Sequence, residues 1–88
     1  MVKIVLSSGW AHRGRTEFEV GQGLLPQVIK DFAALHPNYR RRLLDGDGEM
    51  LRYYCVYIDG DPVSREERAT VRVHDGSTVA IIPPMAGG

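Results

Sequence analysis

The chain has 88 residues, with 11 Lys and Arg balanced by 11 Asp and Glu and a hydrophobic share of 43%. That length suits one domain whose folding buries about 60–65% of the unfolded surface, a modest core with little room for a deep catalytic pocket. Zero net charge removes the electrostatic argument for nucleic acid or an anionic membrane; a single cysteine excludes an intramolecular disulfide and suits a reducing compartment; and no apolar run approaches the roughly 18–20 residues of a membrane span.

The opening residues MVKIVLSSGW lack the layout of a secretory signal, so the expectation is a cytoplasmic protein. Val2, Ile4 and Leu6 alternate with Lys3, Val5 and Ser7, the period of a strand. SSGWAHRG is a turn, and RTEFEV alternates again, with Thr16, Phe18 and Val20 on one side, which predicts an N-terminal hairpin. In GQGLLPQVIKDFAALHPNY the period changes. Leu25, Val28, Ile29, Phe32 and Leu35 or His36 recur at steps of three and four and predict one long helix. Pro26 is tolerated near its start and Pro37 stops it. YRRRLLDGDGE has room for a short helical turn before an Asp-Gly loop. MLRYYCVYI carries aromatic and β-branched residues without a breaker and predicts a strand, followed by the turn DGDP. ATVRV and STVAII read as further strands on either side of the turn HDGS. This order of strands around one helix is the β-grasp pattern, an α+β fold with a mixed sheet of four to five strands packed on one main helix.

Most chemistry-bearing side chains have a plain structural explanation. Cys55 lies in a strand without a second cysteine, and free cysteines usually act as small apolar side chains. His12, His36 and His74 lack metal-ligand spacing, and Asp45, Asp47 and Glu49 fall short of the twelve-residue calcium loop. Residues 21–23, GQG, lack the third glycine of a dinucleotide fingerprint. Arg40, Arg41 and Arg42 read as a solvated face or a contact for an acidic partner rather than a nucleic-acid platform. Tyr53, Cys55 and Tyr57 alternate with Tyr54, Val56 and Ile58, so one set faces the helix and the other the open side of the sheet, where aromatics suggest a docking surface.

The end of the chain, AIIPPMAGG, is different. An apolar strand runs into two prolines and then two glycines, which predicts a compact body over residues 1–83 and an extended tail over 84–88 reaching roughly 15–18 Å. A glycine-glycine end fits a narrow channel because neither residue carries a Cβ. A carboxylate is a poor electrophile at neutral pH, so Gly88 becomes reactive only if another enzyme activates it, for example as an acyl-adenylate.

The tail after the VHDGSTV turn and strand, together with YYCVYIDGDPV and NYRRRLLDGDGEMLRYY, resembles the MoaD/ThiS group of ubiquitin-like sulfur carriers. Within the group it is most similar to the molybdopterin-synthase small subunit and to carriers for cysteine or thiosugar synthesis. The resemblance implies a protein cosubstrate rather than a free-standing enzyme, or the small subunit of a sulfur-transferring complex. It implies no bound cofactor. An ubiquitin-activating-type adenylyltransferase/sulfurtransferase uses ATP to adenylate Gly88, and sulfur then gives a 1-thioglycine thiocarboxylate that a sulfur-accepting synthase consumes. Gly87 and Ala86 thread the partner's channel, and Tyr57, Ile82, Met85 and Arg41 contact the partner. The alternative use of the same carboxyl is conjugation to lysines of target proteins. Molybdopterin precursor, activated serine, sugar and thiazole all remain open as acceptors.

Overall fold

The computed structural model describes residues 1–10 and 14–83. The tail expected over 84–88 and His12 lie outside the described residues. Strand β1 (Val2–Leu6) buries Val2, Ile4 and Leu6 and turns Lys3 outward, as its alternation requires. It pairs antiparallel with β2 (Glu17–Val20), which buries Phe18 and Val20 between exposed Glu17 and Glu19. The last strand, β7 (Thr78–Ile82), lies parallel to β1 on its other side, with Leu6 opposite Ile81. Beyond β7, antiparallel to it, runs β4 (Cys55–Ile58), followed by the short edge strand β5 (Asp61–Pro62). The sheet order is β2-β1-β7-β4-β5, with the first and last strands adjacent at its centre, as in the β-grasp fold.

Helix α1 (Leu25–Leu35) crosses one face of this sheet and buries Leu25, Val28, Ile29, Phe32 and Ala33. Pro26 occupies the first turn, where its missing N–H has no helical partner to lose. At the other end the His36 N–H still donates to the Phe32 carbonyl at 2.9 Å, and Pro37 then opens a tight turn over Pro37–Tyr39. One further turn of helix, α2 (Arg40–Leu43), buries Leu43 and holds Arg40, Arg41 and Arg42 in solvent.

The structure corrects three sequence expectations. Leu35 is 63% exposed and does not belong to the core stripe; Ala33 fills the helix face and half-buried His36 follows it just past the helix end. MLRYYCVYI is not one strand. Met50 makes an isolated bridge to Leu44, residues 52–54 bend, and regular pairing begins only at Cys55. Two hydroxyls draw the bend toward the helical layer: Tyr53 donates to the Arg42 carbonyl at 3.0 Å and Tyr54 to the Leu43 carbonyl at 2.8 Å. ATVRV contributes only β6 (Arg72–Val73), because Thr70 and Val71 are held by the Glu67 carbonyl in a turn that starts at Ser64. That turn is closed by reciprocal capping: the Glu67 N–H donates to Ser64 Oγ at 3.2 Å and the Ser64 N–H to Glu67 Oε1 at 3.3 Å. On either side of the Asp75-Gly76 turn, β6 and β7 are not paired with each other. β6 pairs instead with β3 (Gly23–Leu24), the two making a separate ribbon at the entrance to α1.

The DGDP turn forms as its sequence suggests. Asp59 and Gly60 both take positive φ, 51° and 88°, the backbone that lets β4 double back onto β5. Asp59 Oδ1 also accepts the Thr78 N–H at 2.9 Å and so ties the turn to the start of β7.

Candidate functional site: the open sheet face and the rim where the last strand ends

One face of the sheet is covered by the helices, and the other is open. Register lines up its outward residues in rows. Glu17, Val5, Ala80, Tyr57 and Pro62 cross all five strands as one row. One step toward the end of β7, Ile82 faces Cys55. Val5, Ala80 and Tyr57 are half-buried, whereas Ile82 is 41% exposed. Val5, Ser7, Ala80 and Ile82 line a shallow hollow of about 290 Å³ directly below the point where the chain leaves the sheet. The band is therefore apolar from the middle of the sheet to the tail exit, with the exposed Lys3–Glu17 ion pair (3.3 Å) at its far side. Such a pair is worth little to stability in water.

Of the residues read as partner-binding, Tyr57 and Ile82 come together on this face. Arg41 does not join them: it is exposed on α2, in the helical layer that covers the opposite side of the sheet. Met85, Ala86, Gly87 and Gly88 lie outside the described residues. Cys55 is exposed on the open face rather than packed as a small apolar side chain.

A second feature of the tail-exit rim escaped the sequence reading. The turn after β1 carries Trp10, and because β1 and β7 are parallel, that turn sits at the same end of the sheet as Ile82. There the Trp10 ring meets Tyr54 edge-on at 6.0 Å and Tyr53 at 6.4 Å, and the Arg42 guanidinium lies 5.8 Å from the centre of the indole. Trp10 and Tyr54 are buried, while Tyr53 is 44% exposed. Burial pushes the Tyr54 hydroxyl well above the ordinary tyrosine range, so it remains a neutral donor to the Leu43 carbonyl. The signal in the sequence was a lone Trp in a polar turn, SSGW, which local pattern reads only as loop.

The other titratable candidates have structural surroundings. His36 packs against Phe18 (4.6 Å) and Phe32 (5.2 Å), and its pKa is lowered by burial and by Arg15. Asp45 accepts the N–H groups of Asp47 and Glu49 through one carboxylate oxygen, closing the loop upon itself. Among the described residues no three His, Cys, Asp or Glu side chains gather as metal ligands, and no helix is long and apolar enough to cross a membrane. What the described residues offer is an exposed apolar band beside the end of β7.

Comparison with known proteins agrees with this layout. The sulfur carrier protein CysO of Mycobacterium tuberculosis is 27% identical over 77 residues, covering 85% of this chain and 83% of the relative. In a crystal structure of the BexX/CysO complex of Amycolatopsis orientalis, one chain superposes with a TM-score of 0.77 at 23% identity, with full coverage of both chains. The solution structure of small archaeal modifier protein 1 from Methanosarcina acetivorans gives a TM-score of 0.79 at 20% identity, covering 99% of this chain and 95% of that one. At such identities these structures establish the ubiquitin-like β-grasp fold. The ThiS family model matches residues 14–88, most of the sequence and its glycine-glycine end included, and the chain belongs to the ThiS family.

Proposed function

We propose that the protein is a sulfur carrier whose reactive group is the Gly88 carboxylate. The observation that carries this reading is the family match running through the last residue, on a chain whose curated relative is a sulfur carrier. In the proposed cycle an ubiquitin-activating-type enzyme binds the open sheet face. The Gly88 carboxylate attacks the α-phosphorus of ATP, giving the acyl-adenylate and releasing pyrophosphate. A sulfur nucleophile at the sulfide level then adds to the acyl carbon, AMP leaves, and the tail ends as a thiocarboxylate. That group is ionised and nucleophilic, and a sulfur-accepting synthase consumes it, regenerating the carboxylate.

The body supports this cycle by positioning. A tail of five residues beyond Pro83 reaches roughly 15–18 Å, so a partner's channel mouth must lie close to the rim where β7 ends. The apolar band of Val5, Ala80, Tyr57 and Ile82 beside that rim supplies area for docking, and the Trp10–Tyr53–Arg42 cluster borders it. Arg40 and Arg41 on α2 act in approach rather than in the docked contact, since they belong to the other layer. The acceptor could be a precursor of molybdopterin, cysteine, a thiosugar or a thiazole.

Intact-mass measurement after incubation with ATP, the cognate activating enzyme and sulfide or thiosulfate tests the reading. Replacement of one oxygen by sulfur adds about 16 Da. High-mass isopeptide adducts without that gain would assign the tail to protein conjugation instead, and an unchanged mass with an activating enzyme active on other carriers would overturn both.

A further inference from the structure

Among the described residues Arg68 is the one charged side chain that is buried, with 9% of its surface exposed. It stands on the turn that follows the Ser64–Glu67 cap and reaches under the start of β4. Its Nη2 donates to the Tyr54 carbonyl at 2.5 Å, and its guanidinium carbon lies 5.6 Å from the Tyr54 ring centre. Nε and Nη1 are buried and have no hydrogen-bond partner among the described residues. A guanidinium cannot shed its proton to escape such a site, and buried donors left unpaired are costly. Native proteins rarely leave them so without a water or an ion.

Arg68 forms part of the wall of a cleft of about 360 Å³ between the loop 45–52 and the turn 64–70, shared with Asp45, Glu49, Arg52 and Arg65. Its two carboxylates each have another partner. Asp45 is held by the N–H groups of Asp47 and Glu49, at 2.8 and 3.0 Å, and Glu49 lies 3.5 Å from Lys30 Nζ. Three guanidinium groups therefore line one cleft with no acidic side chain among the described residues paired to Arg68, and the volume is many times the roughly 30 Å³ of one liquid water. Arginine matches planar and tetrahedral oxyanions better than any other side chain.

We propose that this cleft binds a small oxyanion, gripped by Arg68 from within and by Arg52 and Arg65 at its mouth. The site is separate from the apolar sheet face and does not depend on the chemistry of the tail. Its position still matters, because Arg68 holds the carbonyl of the residue just before Cys55, and Cys55 faces Ile82 where β7 ends. An anion there braces the root of the tail.

The test uses the full chain labelled with nitrogen-15, with inorganic phosphate, sulfate and acetate titrated separately against chloride at equal ionic strength. Phosphate or sulfate is expected to move the Arg68 Nε–Hε signal and the backbone amides of 49–52 and 64–69 saturably, and to raise the melting temperature with concentration. Arg65→Gln removes an exposed charge without touching the core, so it should weaken binding about tenfold or more while leaving the melting temperature in chloride unchanged. A response to acetate as strong as to phosphate identifies the natural ligand as a carboxylate; a response to the tetrahedral ions alone identifies a phosphate or sulfate group. Chloride-like behaviour of all three ions, or an affinity indifferent to Arg65→Gln, overturns the proposal.

Discussion

Phe32 sits at the centre of the largest aromatic group in the core, stacked on Tyr39 at 5.5 Å and tilted against Phe18 at 5.0 Å, with His36 closing the ring of contacts. It is fully buried, so Phe32→Ala leaves a void that its neighbours can only partly fill, and the expected loss is about 3–5 kcal/mol. For a domain of this size that is much of the total stability, and a chemical-denaturation midpoint will read it directly. His36 offers a subtler test. Burial, and secondarily the positive Arg15, lower its pKa from the ordinary 6.5, so the native state disfavours the protonated ring. The unfolded chain then binds more protons just below pH 6.5, and stability falls as the pH drops through that window toward the depressed native value. His36→Phe should remove this slope; melts of the two proteins above and below the ordinary histidine value give the difference, and parallel pH profiles would show that His36 plays no part in it.

At the scale of elements, the open face is a plane of outward residues on β1, β7 and β4, and its centre is Ala80, flanked by Val5 and Tyr57. Ala80→Glu places a charge where the proposed activating enzyme must bury apolar surface. The apparent KM for adenylation should rise about tenfold or more, while the melting temperature changes little because the side chain points away from the core. Steady-state pyrophosphate release beside a thermal melt separates the two effects; normal kinetics would make the face bystander surface. The strands that build this plane were legible to different degrees. VKIVL, EFEV and TVAII alternate cleanly because each has one face in the core and one in water, and LPQVIKDFAAL carries its helical period for the same reason. Residues 50–54 misled because aromatic and apolar composition reports a half-buried surface, not a ladder. Their hydroxyls bond to α2, a contact between segments eleven positions apart that no local pattern encodes. The pairing of β6 with β3 is equally invisible, since the Gly23–Leu24 segment looks like a helix approach until Val73 is found opposite Gly23. Trp10 at the rim belongs to the same class: its partners Tyr53 and Tyr54 lie more than forty positions away.

The whole molecule separates two tasks. All the buried hydrophobic residues among those described lie between Val2 and Ile81, and the proposed chemistry falls to the residues after Pro83. The fold, being a matter of periodicity and burial, was readable from the sequence; the role proposed for Gly88 rests on a strand, two prolines and two glycines standing in that order. The strictest test therefore acts on the last residue alone. Deleting Gly88 shortens the reach by about 3.5 Å, and productive attack on a bound nucleotide tolerates only a fraction of that displacement. Gly88→Val keeps the length but adds a branched side chain and restricts the backbone where a narrow channel favours glycine. Both changes should abolish adenylation and thiocarboxylate formation, whereas Gly87→Ala should slow the reaction without stopping it. Both Gly88 changes leave the described helix and strands as they are, so stability should hold within about 0.5 kcal/mol. Pyrophosphate release with the activating enzyme, measured beside a circular-dichroism melt of each variant, distinguishes lost chemistry from lost structure. If the truncated chain still accepts AMP and sulfur at the normal rate, the reactive end is not Gly88, and the carrier mechanism falls while the family and the fold remain.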